Sequence, residues 1–296
     1  MGDGRGGGGR PVALVLGAQG LLGSALCRTL PAAGWRLVAA AHADCDIRDA
    51  AAVQALCART RPAAVFNAAA YTNVDAAEDE PALAEAVNAA GAENVARAAA
   101  AAGAAIVHYS TDFVFDGTLE RLYDERDPPS PQGSYARSKV AGDARVAAAT
   151  PRHFILRVGC LYGRGGRNFP STLVRRLRGG ETLRVDRDRR ASPTWVDEPA
   201  RVSAALAGTT FYGLYHCTAA GETSWAEFAR RIAARLGLPE ERVEALPTAA
   251  LALRAARPVR AILDNRALRE RGLDSLASWE DGLAAYLADA LADAPT

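Results

Sequence analysis

Tyr135 and Lys139 stand four residues apart in Ser134-Tyr135-Ala136-Arg137-Ser138-Lys139, and Lys139 is the one lysine among 35 Lys and Arg residues. On a helix that spacing puts a phenol and an ammonium on one face. The chemistry such a pair offers is proton transfer. A free phenol titrates near ~10, and bringing it to about 7 takes ~4 kcal/mol. One positive charge at ~4 Å supplies that much at an effective dielectric of ~20. An exposed i,i+4 pair without chemistry has the same spacing. Arginine, however, serves as the basic residue everywhere else. It is a planar fork that keeps its charge, whereas lysine is compact and rotatable. The retained lysine therefore marks a place where guanidinium does not serve.

The elements that must position this pair are legible upstream. Val12–Leu16 reads as a short buried strand, Gly17-Ala18-Gln19-Gly20-Leu21-Leu22-Gly23 as a turn, and Ser24–Leu30 as a helix. Strand, glycine turn and helix are the context of a dinucleotide site, in which the backbone approaches a pyrophosphate held by the helix N-terminus. The spacing is Gly-x-x-Gly-x-x-Gly, and a plain strand-to-helix turn also favours glycine. The segment Gly17, Gln19, Gly20, Leu21 and Leu22 is the candidate cradle.

A second strand, Trp35–Ala41, ends in Ala40-Ala41-His42 without the carboxylate that marks NAD specificity, so NADPH is expected, with NADH as the alternative. Asp46, followed by Ile47, reaches an adenine edge or caps the helix that begins near Asp49. A strand over 63–67 leads into Asn67-Ala68-Ala69-Ala70-Tyr71-Thr72, small residues that let a cofactor pass. A helix over 85–102 and a strand over 104–109 precede Ser110-Thr111-Asp112. Polar groups at that end of a strand face the ligand crevice of an open α/β sheet, or they cap a turn. A loop over 113–131 leads to the Tyr135 helix, and His153–Val158 is a further strand. Alternating strands and helices predict an α/β, Rossmann-type, doubly wound parallel sheet.

Beyond 158 the pattern loosens into a smaller substrate domain over 159–296, interleaved with a cofactor domain over 11–158; residues 1–10 read as a disordered leader. Helices are expected over 168–177, over 224–236 with Ser224 and Glu227 as a capping box, and over 279–291. The net charge of +1 gives no general attraction for nucleic acid. The five cysteines are odd in number and scattered, which suggests a reducing compartment and no zinc site. No apolar run is long enough for a membrane span, and the expectation is a cytoplasmic protein, monomeric or homodimeric.

Together these motifs resemble the extended short-chain dehydrogenase/reductases, and within them the dTDP-4-dehydrorhamnose reductase family. The resemblance extends to Gly166-Arg167-Asn168-Phe169, Ser192-Pro193-Thr194, Gly213-Leu214-Tyr215-His216 and Arg257-Pro258. It implies NADPH-dependent reduction of a 4-keto-6-deoxy sugar carried on a nucleoside diphosphate. It also implies that Tyr135 protonates the nascent C4 alkoxide, that Lys139 tunes Tyr135 and binds the nicotinamide ribose, and that Thr111 bonds the keto oxygen. Asp112, Cys160, Asn168 and Arg257 are the implied substrate contacts. Arg257 is favoured over the loop arginines Arg187, Arg189 and Arg190 as a diphosphate ligand. Three positions depart from the family pattern: Cys160 stands for a tryptophan, Ala136 for a glycine, and Ala25 for a metal-binding glutamate, so no metal is expected. Two further activities fit the same resemblance: a ring-contracting synthase of the dTDP-dihydrostreptose type, and a non-catalytic NADP-binding subunit like methionine adenosyltransferase beta.

Overall fold

The apolar runs of the first half become the middle of one sheet. In the computed structural model, which describes residues 9–165 and 168–292, β1 (Val12–Leu16), β3 (Ala64–Asn67) and β4 (Ala105–Thr111) are buried along their whole length. Strands covered by helices on both faces must be so. β2 (Arg36–Ala40), β5 (His153–Val158) and an edge strand, Gly213–His216, complete a six-stranded parallel sheet. Its spatial order is edge strand, β5, β4, β3, β1, β2. The leader expected over 1–10 falls, but for Gly9 and Arg10, outside the described residues, as do Gly166 and Arg167.

Helices cover both faces. α1 (Leu21–Ala32) and Asp197–Ala207 bring Ala25, Leu26, Leu30, Ala200 and Leu206 against Ala13, Val15, Phe66 and Val107. On the other face α2 (Ala50–Thr60), Ala92–Ala101 and Gly133–Ala149 contribute Val53, Cys57, Val95, Ala99 and Val146. The second half of the chain thus supplies both a strand and a covering helix to the first. It also has a core of its own, with Leu173, Leu177, Val185, Phe228, Ile232 and Leu283. The expected capping box of helix Trp225–Arg235 is present, Ser224 and Glu227 closing it. Among the described residues no helix is long and apolar enough to cross a membrane.

Two elements differ from the sequence reading. Ser110 and Thr111 lie within β4, which runs two residues past Tyr109 because β5 continues to pair with it there. The helix expected over 85–102 is not one α-helix. Pro81–Glu85 passes into a π-helical turn, Ala86–Gly91, before Ala92–Ala101 resumes. Such a turn holds one extra residue per coil and re-aims what it carries; here the aimed residue is Asn88.

Candidate active site

The order of the sheet reverses between β1 and β3, the place where open α/β sheets leave a crevice. Gly17 turns the chain after β1 with φ +72°, and a Cβ there would lie 2.7 Å from the Ala69 amide nitrogen. The turn after β1 and the backbone after β3 are therefore in contact. Gly20 is the N-cap of α1 and offers no side-chain cap. The amides of Leu21 and Leu22, in the first turn, have no partner within their own helix. Their side chains turn into the core, so these two residues have only backbone to offer a ligand.

A cleft of about 440 Å³ opens here, with Gly17, Gln19 and Gly20 on its wall together with Ala68, Ala69 and Ala70. His42, Asp46 and Ile47 line it from the segment after β2. Asp46 is engaged by Arg48 through contacts of 2.5–3.0 Å. That hydrogen bonding holds its carboxyl down at about 2. Asp49, accepting from the Ala51 and Ala52 amides at 3.0 Å, is the cap of α2. The close-packed glycines, the unpaired amides and the neutralised carboxylate fit a dinucleotide.

Thr111 stands at the end of β4 near the Tyr135 phenol, whose ionised form it favours. The Thr111 hydroxyl donates to Asp112 Oδ1 at 3.0 Å. The Phe113 ring meets Tyr135 edge-on at 6.0 Å. Burial pushes the phenol up to about 12; Thr111 opposes the shift, and the Asp112 and Asp143 carboxyls add to it. Lys139 is 2% exposed, and its Nζ donates to the Tyr109 carbonyl at 2.5 Å. Burial brings this amine down to about 8, while Asp143 works the other way. The expectation of a phenol drawn toward neutrality by the ammonium is therefore corrected. The lysine is turned to a backbone carbonyl of β4, and the charges that act on the phenol are carboxyls. Burial favours the protonated phenol of Tyr135.

Asp112 is 7% exposed, and burial lifts its carboxyl to about 7 against the hydrogen bonds from Thr111 and backbone amides. With Phe113 it faces a second cleft of about 370 Å³. Cys160 lies on that wall in left-handed backbone, φ +48°, with Sγ 4.0 Å from Asp112 Oδ2. Phe169 and Trp225 form an aromatic wall, centroids 4.7 Å apart.

Arg257 lines the cleft and pairs with both Asp75 oxygens at 3.0 and 2.8 Å. Arg189 is held by Asp186 at 2.5 Å and Arg190 by Glu227 at 3.0 Å; Arg187 lies at 3.6 Å from Asp188 and is largely exposed. Asn168 is not on the wall. Its Nδ2 donates to the Gly163 carbonyl at 2.7 Å and its Oδ1 accepts from the Ser171 amide at 3.1 Å. Its amide is used in capping the helix Phe169–Arg178 that carries Phe169. Among the described residues no group of three or more His, Cys, Asp or Glu side chains is placed to hold a metal ion.

Three positions escaped the sequence reading. Asn88 is 1% exposed and clamps both the amide (2.9 Å) and the carbonyl (3.0 Å) of Tyr71, and it donates to Ser138 at 3.0 Å. Glu78 accepts from the Ser134 amide at 2.6 Å, fixing the start of the Tyr135 helix. Asp143 sits one turn beyond Lys139. A polar residue on the apolar face of an alanine-rich helix was the available signal for Asn88, and i+4 spacing from Lys139 for Asp143.

Comparison with known proteins bears on the family and the fold. The family model described as RmlD substrate binding domain matches residues 12–292. A dTDP-4-dehydrorhamnose reductase of Streptomyces griseus is 40% identical over 280 residues, covering 93% of this chain and 92% of that one. One from Salmonella typhimurium is 34% identical over 291 residues, with 93% and 97% coverage. The crystal structure of dTDP-4-dehydrorhamnose reductase from Bacillus anthracis in complex with NADP superposes with a TM-score of 0.92 at 35% identity, covering 95% of this chain and 99% of that one. With its fold and nearly its whole length in common with them, the chain belongs to the dTDP-4-dehydrorhamnose reductase family.

Proposed function

We propose that this protein uses NADPH to reduce the C4 ketone of dTDP-4-dehydrorhamnose or a closely related nucleotide-activated 4-keto-6-deoxyhexose, in the cytoplasm, as a monomer or homodimer. The observation that carries the reading is the buried Tyr135 phenol, held protonated by burial, with Thr111 beside it at the end of β4. It stands beside a cleft wide enough for a sugar, lined by Asp112 and Phe113. NADPH, when bound, supplies the hydride. Gly17, Gly20 and the first-turn amides of α1 hold the pyrophosphate, and the uncharged end of β2 with His42 accepts a 2′-phosphate. Lys139 donates to the ribose, Thr111 polarises the ketone oxygen, and Tyr135 gives its proton to the alkoxide as it forms. Asp112 accepts from a sugar hydroxyl, and Arg257 faces the diphosphate.

The test is NADPH consumption by purified protein given dTDP-4-dehydro-L-rhamnose, with the product identified by mass spectrometry and NMR. dTDP-L-rhamnose is the expected product, and Tyr135→Phe is expected to lower turnover by about 10²–10⁴-fold. A ring-contracted product would favour the dihydrostreptose-type synthase, for which the small Cys160 wall leaves room. Binding of NADPH without consumption would favour the regulatory subunit.

A further inference from the structure

Behind the Tyr135–Lys139 face lies a buried group of charged and polar side chains that the mechanism does not use. Asp143 follows Lys139 by one helical turn, so the two share a face. Its Oδ2 accepts from the Ser110 hydroxyl at 2.6 Å and lies 3.8 Å from Arg157 Nε. Its Oδ1 lies 3.7 Å from His108 Nε2 with no hydrogen bond made. Asp143 is 8% exposed, Lys139 2%, Arg157 4% and His108 1%.

Two strands and the helix itself contribute to this group. β4 gives His108 and Ser110, β5 gives Arg157, and the helix itself gives Lys139 and Tyr135. One step out, Asn67 of β3 touches His108 at 3.3 Å and His216 of the edge strand touches Arg157 at 3.4 Å. Burial and a neighbouring cation push both histidines down, Lys139 acting on His108 and Arg157 on His216, so both are neutral. The charges left are two cations, Lys139 and Arg157, and two carboxyls: Glu125, which acts on Arg157, and Asp143, which burial raises while Lys139, Ser110 and Arg157 oppose that shift. A buried cation without a countercharge gives up its proton, and arginine does not; without Asp143 the loss falls on Lys139.

We propose that Asp143, pinned by Ser110, is a positioning residue that holds the Lys139 side chain in its charged form for catalysis. The proposal rests on Lys139 being the catalytic lysine. Burial draws the amine down to about 8 and Asp143 opposes that shift, so its charge at neutral pH depends on this carboxylate. Lys139 is also the sole lysine of the chain. Its ε-carbon is therefore the single lysine signal in a ¹³C-labelled protein.

The experiment is NMR titration of that signal in the full chain, as wild type, Asp143→Asn and Asp143→Glu, beside the pH profile of kcat. The wild-type midpoint is expected near 8. In Asp143→Asn it should fall by about one pH unit or more, with the alkaline limb of kcat following it, and Asp143→Glu should restore both. An unchanged midpoint in Asp143→Asn overturns the proposal. Should that variant not fold, Ser110→Ala frees the carboxylate and is read alike: a smaller downward shift supports the proposal and none overturns it. The signal needs no turnover. A shift in a chain that reduces no keto-sugar would refute the functional reading alone, and turnover with an unmoved signal would refute Asp143 alone.

Discussion

At the level of single residues, burial decides what the acidic and basic groups of the site can do. Tyr135 keeps its proton because its surroundings disfavour the phenolate, which suits a group that gives a proton to an alkoxide. Lys139, 2% exposed and bonded to the Tyr109 carbonyl, has a compact niche that a planar guanidinium does not fit. Lys139→Arg should therefore lower kcat by about 100-fold or more, measured as steady-state NADPH consumption. Asp112 shows the cost of such a site. Its carboxyl is raised to about 7, so between pH ~4 and 7 the folded chain holds a proton that the unfolded chain has released. The stability this proton represents is complete below pH ~4 and is lost as pH rises through 7. Asp112→Asn removes the charge and keeps the shape. It should raise the Tm at pH 8, by at most about 4 kcal/mol of stability, and change it little at pH 4, while turnover falls. Thermal melts at the two pH values would show it, and an equal gain at both would mean the charge is not the cause.

At the level of elements, the helix Gly133–Ala149 is seated by backbone contact. Gly142 lies so close to the π-helical turn that a Cβ would meet the Asn88 carbonyl oxygen at 2.1 Å. No side-chain rotation relieves a clash with backbone. Gly142→Ala should push the helix outward, costing about 2–3 kcal/mol in denaturant unfolding. Tyr135 and Lys139 ride on this helix, and Asn88 ties it through Ser138 to the Tyr71 segment beside the first cleft. Turnover should therefore fall further than lost stability alone explains. A variant that unfolds earlier yet keeps full activity at low temperature would contradict this seating.

Across the whole molecule, one segment after β3 reaches from the first half to the second beside the clefts. Residues 75–79 follow β3, yet Asp75 takes the Ala255 amide and both Arg257 nitrogens, and Asp79 takes Arg254. Glu78 from the same segment fixes the start of the Tyr135 helix. The expected diphosphate ligand Arg257 is thus already oriented by the cofactor half. Asp75→Asn should raise the KM for the nucleotide sugar by about tenfold and leave the Kd for NADPH nearly unchanged, as measured by initial rates and cofactor titration. Equal weakening of both ligands would show that the segment acts on the fold and not on Arg257.

The same division between near and far partners separates what was readable in the chain from what was not. The strand, glycine turn and helix that open the chain (the helix read from Ser24 but beginning at Leu21), the Ser224 capping box and the Tyr135–Lys139 face rest on neighbours within a few residues, so composition and spacing determined them. The buried strand β1 and the first three residues of β3 and β4 were likewise written as apolar runs, because a strand covered on both faces has no polar alternation there. What only the tertiary structure decided depends on partners far along the chain. Lys139 finds Tyr109, Arg257 finds Asp75, and Asp143 gathers Ser110, His108 and Arg157. Asn168 needed no distant partner, but its neighbours' geometry turned a candidate ligand into a cap. The protonation of Tyr135, Lys139 and Asp112 follows from desolvation, which exists only once strands and helices from both halves close over them.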